Sequence, residues 1–269
     1  MKIFTNLTTL LLLLGCSMTL HAQDDASAAS LYNKGLEMIK AKNYTEALPL
    51  MEQAIEAADA ESEADAEVIK LAKRNGAIAA YYVGNDQRKG DDSESALATY
   101  EKGIAFSAGF YANYIGRAQA LEGMNKTAES ISAYIEAGDV CAKSKKADKA
   151  EKMYSKAENI IAVAWGDKKW DATAEYAMAF LEMKQSPEVH YYLAYAMKEK
   201  GNAEKALEHA DKAIEQAGET DASKYYMAKA ESLEALGQSD AAVEAYKMVK
   251  DAKYSERAKY KVSELSGGK

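Results

Sequence analysis

The residues with the chemistry for a reaction centre are few. There are two cysteines, Cys16 and Cys141, and three histidines, His21, His190 and His209. A zinc site draws its four ligands from closely spaced Cys and His pairs, and no such spacing occurs. His190 and His209, nineteen residues apart and without a nearby cysteine, make a poor metal site. Cys141 stands in Asp139-Val140-Cys141-Ala142, a helical context in which a cysteine packs as a small apolar residue and is not a nucleophile. Carboxylate pairs such as Glu61 with Glu63, and Asp91 with Asp92, have the composition of a two-carboxylate hydrolase. An acidic helical surface produces such pairs in any case. Neither a glycine-rich phosphate loop nor a Gly-x-Ser-x-Gly elbow is present. The residues therefore point to a non-catalytic protein that carries no cofactor and no metal. What remains is the chemistry of contact: 18 tyrosines and two tryptophans, side chains suited to surfaces that are apolar at one end and wet at the other.

The elements that position them read as helices. Only two prolines occur, Pro49 and Pro187, while alanine, glutamate, lysine and leucine are abundant. Alternating Val, Ile and Thr segments between turn signals, which strands need, are missing. The 269 residues carry a formal net charge of -8, a surface that repels phosphate backbones and argues against nucleic-acid binding. The basic cluster Lys143, Lys145, Lys146, Lys149 and Lys152 is interleaved with Asp148 and Glu151 and reads as a solvated helix face.

Residues 1–22 read as a secretory signal: Met1-Lys2, an apolar run from Ile3 to Leu14, and a small-residue cut after Leu20-His21-Ala22. Leu13-Leu14-Gly15-Cys16 offers a lipoprotein box as the alternative, which would lipidate Cys16. The expected destination is the periplasm, or the outer membrane through Cys16, with membrane contact only in the second case. Beyond Ala22 no run is long and apolar enough to cross a bilayer.

The strongest signal is self-similarity. Small residues Ala47, Ala96, Ser130, Ala172, Ala206 and Ala242 are each followed four positions later by Met51, Tyr100, Tyr134, Tyr176, Ala210 and Tyr246. Three positions further stand Ala54, Gly103, Ala137, Ala179, Ala213 and Val249. Twelve residues before each anchor lie Gly35, Gly84, Ala118, Ile160, Ala194 and Ala230, five of them small. Between the two helices come Lys42-Asn43, Gly90-Asp91, Met124-Asn125, Gly166-Asp167, Gly201-Asn202 and Gly237-Gln238, where Gly and Asn suit a left-handed helix end. Small residues let antiparallel helices approach, and an aromatic fills the space between successive pairs.

This pattern resembles the tetratricopeptide repeat. The resemblance covers six copies, beginning near Ala28, Ala77, Tyr111, Met153, Pro187 and Ser223, the fourth being degenerate. It implies an all-α solenoid of about six helix pairs winding as a right-handed superhelix. The organisation expected is a signal at 1–22, a short tail at 23–27, three repeats over 28–144 with an inserted helix at 62–76, three more over 145–256, and a capping helix with a frayed end over 257–269. Residues 145–152 should lengthen a helix in the same way as the first insertion.

In that family the first helices of the pairs line a concave groove that holds a partner's peptide or helix. Mapped onto this chain, the groove residues are Tyr32, Tyr81, Asn85, Arg88, Tyr154, Trp165, Tyr191, Tyr195 and Lys198. The Lys and Asn carboxylate clamp of the chaperone-binding members is absent, since Asn85 has no lysine partner. The implied function is that of a protein-binding scaffold of the cell envelope. Two other readings remain: a glycan-binding module using Trp165, Trp170 and the tyrosines, and a carboxylate hydrolase.

Overall fold

The computed structural model describes residues 27–218 and 222–267; the signal at 1–22 and most of the tail at 23–27 lie outside the described residues. These residues form thirteen helices and no strand. In order they are α1 (Ala28–Lys40), α2 (Tyr44–Glu56), α3 (Glu63–Lys89), α4 (Ser93–Phe106), α5 (Tyr111–Gly123), α6 (Thr127–Lys143), α7 (Ala147–Gly166), α8 (Trp170–Leu181), α9 (Pro187–Glu199), α10 (Ala203–Ala217), α11 (Ser223–Ala235), α12 (Ser239–Lys247) and α13 (Ala252–Ser266). The described residues form an all-α solenoid of successive helix pairs. It falls into two compact units that divide at Met124–Asn125. The sequence placed its halves at 144 and 145. The observed division lies within the third copy.

Each second helix obeys one local rule. A turn residue in the left-handed region precedes a buried small residue by five positions: Lys42 and Ala47, Asp91 and Ala96, Asn125 and Ser130, Lys168 and Thr173, Gly201 and Ala206, Gly237 and Ala242. Each of those buried residues is the fourth of its helix. Four of the six left-handed positions hold a residue with a Cβ, where glycine would be unstrained. Gly90 and Gly166, the glycines expected there, are not the left-handed residues; Asp91 and Lys168 are. Several helix starts are capped by a side chain accepting from the third residue on: Asn43 from the Glu46 amide, Asp92 from Ser95, Ser186 from Val189 and Asn202 from Lys205.

The same rule corrects the fourth copy. Ala172, Tyr176 and Ala179 are not its buried face. Thr173, Ala177 and Phe180 are, with Ile161 and Ala157 upstream in place of Ile160 and Lys156. The degenerate appearance came from a register one residue off. In the other five copies the anchor triplets are all buried as the spacing predicts.

Within the first unit, α1 to α4 form two antiparallel pairs followed by α5. The inserted segment 62–76 lengthens a helix: it runs into the first helix of the second pair as the single 27-residue α3. Tyr100 of α4 fills the space that glycines leave. A Cβ on Gly84 of α3 would stand 2.7 Å from its ring, and one on Gly116 of α5 would stand 2.2 Å from it.

Within the second unit, α6 packs on α7 and α8, and the ladder continues pair by pair to α13. The α6–α7 connection repeats the turn rule, with Lys145 left-handed five residues before buried Ala150. The capping helix α13 begins at Ala252, five residues earlier than the sequence suggested, because Asp251 accepts a hydrogen bond from the Lys253 amide and starts it. Ala258 is buried against the last pair, with Val262 and Leu265 alongside it. Cys141 is buried, and burial raises its thiol pKa, as befits a packing residue.

Candidate functional site

The first helices of the second unit, α7, α9 and α11, bring together a closely packed group of five aromatic rings. Trp165 ends α7. Its ring centroid lies 5.7 Å from Tyr191, 5.2 Å from Tyr192 and 6.0 Å from Tyr195, all on α9. Tyr191 lies 5.8 Å from Tyr225 of α11. These are the tilted and edge-on arrangements that aromatic quadrupoles favour. Tyr191 is 6 % exposed, Tyr225 also 6 %, while Trp165, Tyr192 and Tyr195 are half-buried. Tyr191 and Tyr225 are therefore floor, packed on Ala194, Ala210, Ala213 and Ala228, and the other three rings offer their faces. The indole N–H of Trp165 is buried with no hydrogen-bond partner among the described residues. An unsatisfied donor of that kind costs about 1–3 kcal/mol, and such orphans recur at functional sites.

Charge frames the rings at two ends. At one end Glu231 of α11 is 6 % exposed. It accepts from Lys198 of α9 at 2.6 Å, from Arg257 of α13 at 2.8 Å and from the Tyr195 hydroxyl at 3.4 Å. Lys198 lies 4.7 Å from the Tyr195 ring centre. At the other end Glu188, in the first turn of α9, is ion-paired with Lys224 of α11 and accepts from the Tyr225 hydroxyl at 3.2 Å. Burial first, with neighbouring carboxylates and, for Tyr191, Tyr254 adding to it, holds the Tyr191, Tyr192, Tyr195 and Tyr225 hydroxyls well above their ordinary pKa. They stay protonated hydrogen-bond donors at neutral pH.

Of the sequence-derived site residues, Trp165, Tyr191, Tyr195 and Lys198 meet here. Tyr154, on the same helix as Trp165, does not join them. Its ring packs over Gly138 of α6, its hydroxyl donates to Asp139 at 2.7 Å, and Lys184 covers the ring at 4.0 Å. Burial, then the hydrogen bond and charge of Asp139, raise its pKa to about 12.

The other four lie in the first unit and are tied to structure. The Tyr32 hydroxyl accepts from Asn75 at 3.1 Å. Tyr81 packs against Ala96, Tyr100 and Ala120. Asn85 accepts from the Tyr100 hydroxyl at 2.8 Å, which makes it a partner of a buried tyrosine. Arg88 lies beside that same hydroxyl, with its Nε buried and unpaired. Near them Tyr44 and Tyr82 stack at 4.1 Å, and Tyr81 meets Phe110 edge-on at 6.2 Å.

Sequence reasoning missed Tyr192, Glu188, Tyr225, Lys224 and Arg257. Tyr192 follows a residue already assigned to the groove, and on a helix adjacent residues diverge by a wide angle. Only the lateral packing of α7 on α9 shows that both rings meet Trp165. Arg257 arrives from the capping helix, which no repeat pattern connects with the groove.

The two histidines also come together, though not as a metal site. His190 and His209 approach with Nδ1 to Nδ1 at 3.0 Å. Their ring centres are 5.2 Å apart and the rings lie 23° from coplanar. The nitrogens thus meet head-on, one ring radius at either end. A metal held between head-on nitrogens at the usual 2.0–2.1 Å would need them about 4 Å apart. Among the described residues no group of three or more His, Cys, Asp or Glu side chains is placed to hold a metal ion.

The tetratricopeptide repeat family model matches residues 223–252, the segment that forms α11 and α12. No curated protein matches the chain. Among solved structures, the TPR2AB-domain:pHSP90 complex of yeast Sti1 is similar at 15 % identity and a TM-score of 0.38, covering 89 % of this chain and 98 % of that one. PilF of Pseudomonas aeruginosa is similar at 16 % identity and a TM-score of 0.36, covering 92 % of this chain and all of that one. A tetratricopeptide repeat protein from Parabacteroides merdae is similar at 13 % identity and a TM-score of 0.35, over 89 % and 98 % of the two chains.

Proposed function

From its stacked helix pairs, one of which at 223–252 matches the tetratricopeptide repeat model, we propose that the chain works as a non-catalytic protein–protein interaction scaffold of the bacterial envelope. Its second unit holds a segment of a partner protein against α7, α9 and α11. The observation that carries this reading is the half-exposed trio Trp165, Tyr192 and Tyr195 on consecutive first helices, seated on a buried aromatic floor and flanked by charge at both ends. Large, stiff rings with few rotatable bonds lose little entropy on binding and dominate the energetics of such contacts. The tyrosine hydroxyls serve as hydrogen-bond donors and acceptors to a partner's backbone, not as reactants. Envelope residence rests on the signal pattern of residues 1–22.

The test immobilises the chain from Gln23 and identifies what it retains from an envelope extract. The same capture is then run with Trp165→Ala plus Tyr192→Ala. A partner lost on that double substitution, with helicity and melting temperature preserved, supports the reading. A partner retained equally by both proteins sinks it. Fractionation of cells expressing the full chain tests the envelope assignment separately.

A further inference from the structure

Lys224 occupies a setting built for a cation. Its ammonium pairs with Glu188 and lies 5.0 Å from the Tyr225 ring centre and 5.7 Å from that of Tyr191. Ring faces attract ammonium and guanidinium groups, more strongly where water is displaced. This end of the site therefore already shows, in the chain's own lysine, the class of group it favours.

The local charges do not balance. Glu158 stands on α7 seven residues before Trp165, and Glu158, Ile161, Ala162 and Trp165 share the three-and-four spacing of one helix face. Glu158 is half-buried. Its charge is felt by the hydroxyls of both Tyr192 and Tyr225, which places it at the same end as Glu188. Among the described residues Glu158 has no ion-pair partner. Glu158 and Glu188 thus stand on this side of the rings while the Lys224 ammonium is paired with Glu188, in a half-buried place where an uncompensated charge is costly. At the opposite end of the rings, Glu231 is matched by Lys198 and Arg257. The missing cation is therefore at the Glu158 end alone.

We propose that the partner inserts a lysine or arginine side chain at this end, against the faces of Trp165 and Tyr192, where Glu158 pairs with it beside Lys224. This rests on the reading of α7, α9 and α11 as the binding face, and specifies which segments that face accepts: those carrying a positive side chain.

The experiment uses the chain from Gln23 in a Trp170→Phe background, so that emission reports on Trp165 alone. The probes are three capped hexapeptides, one lysine-rich, one glutamate-rich and one neutral. The lysine-rich peptide is expected to change Trp165 emission saturably. Glu158→Gln should weaken it about tenfold, the size of a desolvated cation–π and charge contact. Lys224→Met, which removes the competing ammonium, should tighten it several-fold. Glu94→Gln, an exposed acid of the first unit, should leave it unchanged. Equal weakening by Glu158→Gln and Glu94→Gln would mean diffuse attraction to an acidic protein and would overturn the proposal. So would preferential binding of the glutamate-rich or neutral peptide. In that last case loss of the Trp165 response in Tyr192→Ala would keep the face as a protein-binding site while removing its preference for cations. If none of the peptides alters the emission of a folded protein, both the cation preference and the binding face fall together.

Discussion

His190 and His209 share a single proton between their Nδ1 atoms. Gln185 fixes which one. Its Nε2 donates to the Leu181 carbonyl, so its Oε1 accepts from Gln216 and from Nε2–H of His190. His190 therefore carries its hydrogen on Nε2, and its bare Nδ1 accepts from Nδ1–H of His209. Burial first, then the charge of His209, lowers the His190 pKa to about 4, and burial also lowers that of His209. The charged groups acting on the pair are Glu208, Lys212 and Lys205, all of α10.

The fold consequently resists protonation that the unfolded chain accepts near pH 6.5. Above that pH the contribution of His190 is fully present. As pH falls from about 6.5 towards 4 the unfolded state binds the extra proton and stability declines, by about 3 kcal/mol at most for His190 alone. Urea unfolding at pH 7 and pH 5 should show the loss. In His190→Gln that pH-dependent part should largely vanish. A parallel loss in both proteins would assign it to the carboxylates.

Glu231 joins three helices, through Lys198 of α9 and Arg257 of α13. Glu231→Ala should leave two cations facing each other and cost about 3 kcal/mol. The specific sign would be faster hydrogen exchange over Ala252–Ser266, because Arg257 is then no longer held. Unchanged exchange there would show that Ala258 alone docks the cap.

Tyr191 and Tyr192 are neighbours with opposite duties. Tyr191→Ala should lower stability by about 3–5 kcal/mol, as for a large core residue. Tyr192→Ala should cost far less and should weaken partner capture. Comparing melting temperatures with retained partner for the two variants separates floor from face.

Lys168 takes a left-handed conformation, with φ 58°, where Gly201 and Gly237 stand in later copies. Lys168→Gly should stabilise by about 1 kcal/mol, and Gly201→Ala should destabilise by a similar amount. Thermal melts of the two variants check both signs. Gly116→Ala should also destabilise, by about 1–3 kcal/mol of overpacking, since the added methyl meets the Tyr100 ring.

The helix pairs were legible because packing of this kind leaves a strict record of residue size. The triplets Ala47-Met51-Ala54 and Ala206-Ala210-Ala213 are buried where the spacing put them. The fourth copy misled because Ala172 and Ala179 are small but stand beside the true face, where Thr173 and Phe180 break the small-residue pattern. The turn before it, with Lys168 in the glycine position, hid the missing residue. The site was legible only in part. Trp165, Tyr195 and Lys198 lie on faces that periodicity marks. The hold of Tyr100 on Asn85 and of Asp139 on Tyr154 depends on which hydroxyl reaches which neighbour, and spacing does not record that.

The turn at Lys145 has a mechanical effect on Trp165. The first turns of α7 enter against α6 as a second helix does, through Lys145 and Ala150, while Ala157, Ile161 and Ala164 further along serve as the face of a first helix towards α8. One rod is thus gripped by two different sockets. Axial slip by a single turn would have to break both grips at once. The height at which the indole stands over α9 is consequently pinned from a point twenty residues away, and lengthening or shortening α7 between the sockets would detune the aromatic face without touching any residue in it.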